Sequence, residues 1–206
     1  MTAEYSTFER LNVSRETFER LEAYVDLVKR WNPKINLVSR NSLEHIWDRH
    51  ILDSVQVYNC ADQFENWVDI GSGGGFPGMV CALIAAEHSP DSQFSFVESD
   101  QRKSAFLRSV ARECGIKCTV VSKRIESVDP LDADVLSARA LAELRILLSF
   151  CDRHLSRNGT ALLPKGANWK KELSEAQEEW KFDVEPITSL TEPQAVILKI
   201  KGVSRG

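Results

Sequence analysis

The chain has 206 residues, 43% of them hydrophobic, and a formal net charge of −4 at pH 7. This length fits one α/β domain with an appendage and excludes two full-size domains. No apolar run reaches the roughly 18 residues that a membrane-spanning helix needs, and the N-terminus lacks the pattern of a signal peptide. We therefore expect a cytoplasmic monomer that does not bind membranes, and any nucleic-acid binding would require locally clustered positive charge.

The cysteines give no metal signature. There are five, an odd number, and they are scattered along the chain. Cys114 and Cys118 are four residues apart, with no second pair to complete a metal site. We predict reduced, structural thiols and no metal.

The first part of the chain has helical periodicity. Apolar residues recur at helical spacing over residues 14–31, Ser14 can cap the start, and Asn32-Pro33 is expected to end the helix. A second helical region is expected from about residue 41 to 58. Residues 1–60 are thus predicted to form a helical cap packed on a main domain of residues 61–206, as one structural unit.

After residue 66 the pattern changes to alternating strands and helices, which is typical of an α/β sheet. The predicted strands are residues 67–70, 94–98, 118–122, 134–137 and 160–164, and the predicted helices are residues 77–88, 101–114, 141–154 and 169–179. Two β-rich runs, 182–187 and 195–201, follow without a helix between them. They predict a terminal hairpin and therefore one antiparallel strand.

This order is similar to the Rossmann-like, seven-stranded sheet of the class I S-adenosylmethionine-dependent methyltransferases. The glycine-rich stretch WVDIGSGGGFPG, at residues 67–78, follows the first predicted strand. Read literally, Gly73, Gly75 and Gly78 match the dinucleotide fingerprint G-x-G-x-x-G, but that match begins too late after the strand. Counted from the strand end, the pattern is Asp69, Gly71, Gly73 and Gly75, and it resembles the first methyltransferase motif, with Phe76 in place of the third dinucleotide glycine.

Two further positions predict an adenosine pocket. Glu98 ends the second predicted strand, where a carboxylate can accept hydrogen bonds from both hydroxyls of a ribose. Ile125 and Glu126 follow the third strand, where such folds place adenine. These positions support an adenosine ligand without choosing between the two cofactor classes.

The segment after the fourth strand indicates which methyl acceptor is used. It reads Ser137-Ala138-Arg139-Ala140, without the Asn/Asp-Pro-Pro-aromatic signature of exocyclic-amine methyltransferases, and no cysteine follows a proline as in many cytosine-C5 enzymes. An acceptor with a free lone pair, such as guanine N7, needs alignment and no general base. In this interpretation Arg139 holds O6, a phosphate or the cofactor.

Nearly the whole chain resembles the bacterial 16S ribosomal RNA guanine-N7 methyltransferase family. The resemblance rests on the segments KRWNPKINLVS, RHILDS, VDIGSGGGFPG, ESDQRKSAFLR, KRIE, SARA and LLPKG. It implies methyl transfer from S-adenosylmethionine to N7 of a guanine in the decoding-centre loop of the small-subunit RNA. The implied cofactor contacts are Gly71, Phe76, Ile125, Glu126 and Arg139. This sequence departs from the family at Ala138, where serine is usual, and at Pro164.

Basic residues follow several predicted strands and should share one rim of the sheet, where RNA would bind. The predicted RNA contacts are Arg102, Lys103, Arg124 and Lys165, and Lys165 is expected to position the acceptor together with Arg139. His50 and Asp53, three apart on a predicted helix, are expected to form a hydrogen-bonded pair that holds the cap against the sheet, with a catalytic His-Asp role as the alternative. Two alternatives remain open: a methyltransferase of a small molecule or protein, and a non-catalytic adenosine-ligand or RNA-binding module.

Overall fold

A computed structural model describes residues 11–206 of the chain, so the first ten residues of the predicted cap lie outside the described residues. The remainder of the cap is helical. Its elements are helix α1 (Arg15–Ile35), helix α2 (Arg40–Glu44), a π-helical turn (Trp47–Leu52) and helix α3 (Asp53–Asn59). No helix in the described part of the chain is both long enough and apolar enough to cross a lipid bilayer.

The end of α1 differs from the sequence prediction. Ser14 caps its start as expected, because the Ser14 hydroxyl accepts a hydrogen bond from the Thr17 amide at 3.1 Å. The predicted stop at Asn32-Pro33 is wrong, since the helix continues through Pro33 and ends at Asn36, which is left-handed. The Asn32 side-chain oxygen ends the helix instead: it accepts hydrogen bonds from the next two amides beyond Asn36, at 2.8 and 2.9 Å.

The main domain is built on one seven-stranded sheet with the order β3-β2-β1-β4-β5-β7-β6. Its strands are β1 (Asn66–Ile70), β2 (Gln93–Val97), β3 (Thr119–Val121), β4 (Ala133–Ser137), β5 (Leu155–Lys165), β6 (Trp180–Thr188) and β7 (Val196–Arg205). The helices between them are α4 (Gly78–His88), α5 (Gln101–Glu113), α6 (Leu144–His154) and α7 (Trp169–Gln177), and a 3-10 turn spans Ile125–Ser127. Strands β1 to β5 pair in parallel, and β7 is antiparallel to both β5 and β6. The predicted terminal hairpin and single antiparallel strand are confirmed.

Both faces of the sheet are covered by apolar side chains. On one face α1 contributes Leu21 and Tyr24 to a core that also contains Met79 and Phe106. On the other face α6 packs over the strands through residues such as Leu148. Strand β1 is buried from residue 67 to residue 70, as expected for a central parallel strand. The cap thus shares a core with the sheet, and a domain boundary at residue 60 stays a prediction.

Candidate functional site

A cavity of about 360 Å³ lies at the carboxyl ends of β1 and β2, next to the 3-10 turn. Five residues that the sequence assigned to the cofactor line it: Gly71, Gly73, Glu98, Ile125 and Glu126. Lys103 and Arg124, which were assigned to RNA, lie at the same cavity. Residues from three successive βα connections therefore meet here, because the carboxyl ends of parallel strands share one edge of the sheet.

The glycine loop and Glu98 shape this cavity together. Gly71 and Gly73 have φ values of +62° and +53°, a left-handed conformation that suits glycine. The Gly73 amide donates a hydrogen bond to Glu98 Oε2 at 2.8 Å, and the Asp100 amide donates to Oε1 at 2.7 Å. A carboxylate oxygen carries two lone pairs, so each oxygen of Glu98 can still accept one hydroxyl. Glu98 thus fixes the loop and keeps the capacity to bind a ribose diol.

The back of the glycine loop packs against the cap. The Tyr24 hydroxyl donates a hydrogen bond to the Gly74 carbonyl at 2.5 Å. A Cβ atom on Gly75 would lie 2.8 Å from the Tyr24 hydroxyl and 2.9 Å from Met79 Cβ, and Gly75 has φ +89°. Gly75 is outside the residues that line the cavity. Its glycine identity is explained by contact with the cap.

Asp69 lies beneath the loop and does not line the first cavity. Its carboxylate is 1% exposed and accepts a 2.5 Å hydrogen bond from the Ser137 hydroxyl, which in turn accepts from the Trp67 indole at 2.9 Å. Burial raises the pKa of Asp69 to about 6, although the Ser137 hydrogen bond opposes the shift. A Cβ atom on Gly78 would lie only 2.5 Å from Asp69 Cβ. In this structure Asp69 organises β1, β4 and the start of α4.

A second cavity, of about 630 Å³, lies next to the first, between the cap and the ends of β4 and β5. Arg139 lines it, with its guanidinium carbon 5.2 Å from the centre of the Phe76 ring and Nη1 3.3 Å from the Arg49 carbonyl. Burial lowers the pKa of Arg139 from its usual value, opposed by the nearby charge of Asp53. Arg139 therefore lines this cavity, Phe76 lies behind its guanidinium and lines neither cavity, and neither residue lines the first cavity.

His50 lies in the wall of the second cavity and stacks on Phe76, with ring centres 4.7 Å apart. Within residues 11–206 neither ring nitrogen has a hydrogen-bond partner. Burial, with the charges of Arg139 and Arg49, lowers the pKa of His50 to about 3, so the imidazole is neutral.

The predicted hydrogen bond between His50 and Asp53 is wrong. The Asp53 carboxylate accepts hydrogen bonds from the Ser189 and Thr191 hydroxyls in the β6–β7 loop. His50 and Asp53 both line the second cavity, but neither ring nitrogen of His50 has a hydrogen-bond partner in the described part of the chain. Asp53 instead ties the cap to the terminal hairpin.

The two remaining predicted basic residues have carboxylate partners. Lys165 lines the second cavity, but its side chain is only 9% exposed, and Nζ donates to Glu172 Oε2 at 2.7 Å and to the Ala142 carbonyl at 2.9 Å. Arg102 pairs with Asp100 at 3.3 Å and lines neither cavity.

The sequence reasoning did not identify several residues of these cavities. They are Lys123 and Ser99 at the first cavity, Arg49, Gln56, Glu172 and Glu192 at the second, and Leu141, which lines both. Lys123 could have been found beside Arg124. Glu172 had no local signal, because it reaches the site from the middle of α7. Among residues 11–206, no group of three or more His, Cys, Asp and Glu side chains could hold a metal ion.

Comparisons with known proteins agree with this geometry. The family model described as "GidB: rRNA small subunit methyltransferase G" matches residues 17–198. A protein of Ruegeria pomeroyi named "Ribosomal RNA small subunit methyltransferase G" is 66% identical over 95% of this chain and 96% of its own length. A Cereibacter sphaeroides protein of the same name is 48% identical over 97% of each chain.

Solved structures support the fold. A methyltransferase from Aquifex aeolicus described as "SAM dependent" matches with a TM-score of 0.60 and 11% identity, over 86% of this chain and 98% of that one. M. jannaschii TYW2, solved "in complex with AdoMet", matches with a TM-score of 0.57 and 14% identity, over 84% and 78%. At these identities the likeness concerns the fold, and it confirms the predicted class I methyltransferase architecture.

Proposed function

Because the chain belongs to the family of rRNA small subunit methyltransferases G, we propose that it methylates N7 of a guanine in the decoding-centre loop of 16S ribosomal RNA. S-adenosylmethionine is the methyl donor. The observation that carries the proposal is the juxtaposition of an adenosine-type cavity with a second cavity, lined by three basic residues and four carboxylates, both at the carboxyl edge of one sheet.

The first cavity fits the donor. Glu98 would accept the ribose hydroxyls, and the glycine loop leaves room for close approach, since a Cβ atom on Gly73 would meet nothing nearer than 3.7 Å. Ile125 and Glu126 would border the adenine. When bound, S-adenosylmethionine supplies a methyl group activated by a sulfonium. The nearby carboxylates attract this positive charge, whereas they would repel the negative charges of a pyrophosphate.

The second cavity fits the guanine. N7 of guanine has a free lone pair at neutral pH, so the chain must orient the base and has no proton to remove first. Arg139 can donate to O6 or to the adjoining phosphate, and its stacking on Phe76 fixes the direction of the guanidinium. His50 is neutral and adds no positive charge where the methylated purine becomes cationic. We therefore assign positioning roles to Arg139 and Lys165, with no general base.

The basic residues on this edge explain how a chain with a net charge of −4 could bind RNA. Lys103 and Arg124 line the first cavity, and Arg139 and Lys165 line the second. We propose that the RNA backbone follows this edge and contacts these basic residues, and that affinity falls with added salt. Arg102 lies outside both cavities and would contact only flanking phosphates.

We also propose that the protein acts as a cytoplasmic monomer whose cap and sheet form one unit. Support comes from the site, which takes Glu98, Arg139 and Lys165 from a single chain. Light scattering of the purified protein at micromolar concentration should give a mass near 23.3 kDa.

The central test uses small ribosomal subunits that lack the modification. Incubation with labelled S-adenosylmethionine and mapping of the label by nucleotide should place N7-methylguanine in the decoding-centre loop. Label on a protein or small molecule would replace the proposal with another methyltransferase activity, and cofactor binding without transfer would indicate a non-catalytic module.

Two variants separate the two cavities. Glu98→Ala should weaken cofactor binding at least about tenfold, because it removes hydrogen bonds to a charged acceptor. Lys165→Ala should leave cofactor affinity within about twofold and impair transfer, as expected for a phosphate contact worth about 1 kcal/mol or more. Arg30→Ala, which removes an exposed pair with Glu113 far from both cavities, is the control. Equal loss of cofactor affinity in the first two variants would contradict this division of roles.

A further inference from the structure

The two cavities are separated by a short segment, residues 140–142, which we call the partition. All three of its residues line both cavities. The Leu141 side chain lies directly on the glycine loop: a Cβ atom on Gly71 would be 2.5 Å from Leu141 Cδ1. Methyl transfer needs the reacting atoms about 3 to 3.5 Å apart before the transition state. The partition must therefore shift for the two cavities to exchange a methyl group.

One carboxylate holds the partition in place. Glu172 Oε2, from α7, accepts hydrogen bonds from Lys165 Nζ at 2.7 Å and from the Leu144 amide at 2.8 Å. Lys165 Nζ also donates to the Ala142 carbonyl at 2.9 Å. The side chains of Lys165 and Glu172 are only 9% and 23% exposed, so water screens this ion pair weakly.

The partition also begins at a strained residue. Ala140 has φ +53°, in the left-handed region that a residue with a Cβ atom adopts only at a cost. At the other end of the segment Lys165 donates to the Ala142 carbonyl. Without the contacts of Lys165 and Glu172, residues 140–142 would leave this strained conformation more readily.

We propose that Glu172 is a positioning residue that, with Lys165, latches the partition closed, and that an RNA phosphate opens it by drawing Lys165 away. The proposal rests on the proposed RNA substrate. The Lys165 ammonium has three donors on a flexible stem, and a phosphate oxygen competes with the Glu172 carboxylate for them.

Loss of Lys165 removes the hydrogen bond to Ala142, whereas Glu172 still holds the Leu144 amide. The start of α6 therefore stays anchored while residues 140–142 are released. In this arrangement the site joins its two cavities only when RNA is bound, which protects the donor from reaction with water.

Hydrogen exchange on the free protein tests the latch itself. Glu172→Gln keeps an acceptor for Leu144 but loses the charge that holds Lys165, so amides of residues 140–142 should exchange several-fold faster than in the wild type. Glu175→Gln is the matched control, because it lies on the same helix in an exposed pair with Lys171 at 3.7 Å. Unchanged exchange in the Glu172 variant would overturn the proposal.

The KM for unmodified small subunits tests the competition. Glu172→Gln should lower this KM about fivefold, because phosphate no longer competes with a full charge. Lys165→Met should release the same amides but raise the KM, because the phosphate loses its target. The latch is supported if both variants exchange the same amides faster while the KM falls in Glu172→Gln and rises in Lys165→Met. A higher KM in both variants would indicate a merely structural pair and overturn it.

The experiments distinguish failure of the proposed function from failure of the proposed latch. If the wild-type protein does not methylate the subunits, the proposed function is wrong, whatever the exchange result. If it does, addition of subunits with S-adenosylhomocysteine should speed exchange at residues 140–142 in the wild type. Slower exchange at these amides would refute opening by RNA.

Discussion

Replacement of His50 by phenylalanine should make the protein less sensitive to acid. The imidazole is 9% exposed, stacks on Phe76, and has a pKa of about 3, against 6.5 in the unfolded chain. Because the folded-state pKa is depressed, the stability that depends on neutral His50 is fully present above pH 6.5 and is lost as the pH falls toward 3. Phenylalanine preserves the aromatic ring in the stack and cannot titrate.

The magnitude follows from the two pKa values. At pH 7.5 the unfolded histidine is almost entirely neutral, so protonation contributes nearly nothing to the free energy of unfolding. At pH 5 the unfolded form is protonated and the folded form is not, a difference of 1.5 pH units that amounts to about 2 kcal/mol. The free energy of unfolding of the variant relative to the wild type should therefore rise by about 2 kcal/mol between pH 7.5 and pH 5.

Urea unfolding at several pH values across this window measures the difference directly. The variant minus wild-type comparison removes the contribution of other groups, including Asp69, whose raised pKa acts in the opposite direction. His88→Gln is the control, because His88 is exposed on α4. A stability difference between the His50 variant and the wild type that does not change with pH would refute the reasoning.

Three further substitutions test the contacts that hold the glycine loop and the cap. Gly78→Ala should destabilise the protein by about 2 to 4 kcal/mol, although alanine favours helices, because its Cβ atom would overlap Asp69; thermal unfolding without a loss would refute that contact. Tyr24→Phe should cost about 1 to 3 kcal/mol by leaving the buried Gly74 carbonyl unpaired, and should also weaken cofactor binding measured by calorimetry. Asn32→Ala should cost a similar amount through loss of two amide partners and extra fraying of α1, visible by hydrogen exchange; unchanged protection there would contradict the assigned helix stop.

The order of elements and several residues of the first cavity were accessible from sequence because their signals are local. Strand and helix periodicity gave all seven strands, and the missing helix before residue 195 gave the hairpin. Gly71, Gly73 and Glu98 could be placed at one edge because each follows a parallel strand. The end of α1 was mispredicted because the Asn32 side chain, and not Pro33, supplies the stop.

Only the tertiary structure shows where each side chain points and which residues it contacts. The sequence predicts cofactor contacts at Phe76 and Arg139, and only the structure shows that the Arg139 guanidinium lies over the Phe76 ring and lines the second cavity. The sequence also paired His50 with Asp53 by helical spacing, whereas the Asp53 carboxylate binds the Ser189 and Thr191 hydroxyls in the β6–β7 loop.

Lys165 illustrates the difference between what the sequence predicts and what the tertiary structure adds. The sequence correctly placed it at the end of a strand on the basic edge, since strand ends can be read from local periodicity. Its pairing with Glu172 and its hold on the Ala142 carbonyl depend on how α7 and the partition pack against β5. Such contacts join residues from separate elements, and no local pattern in the chain encodes their geometry.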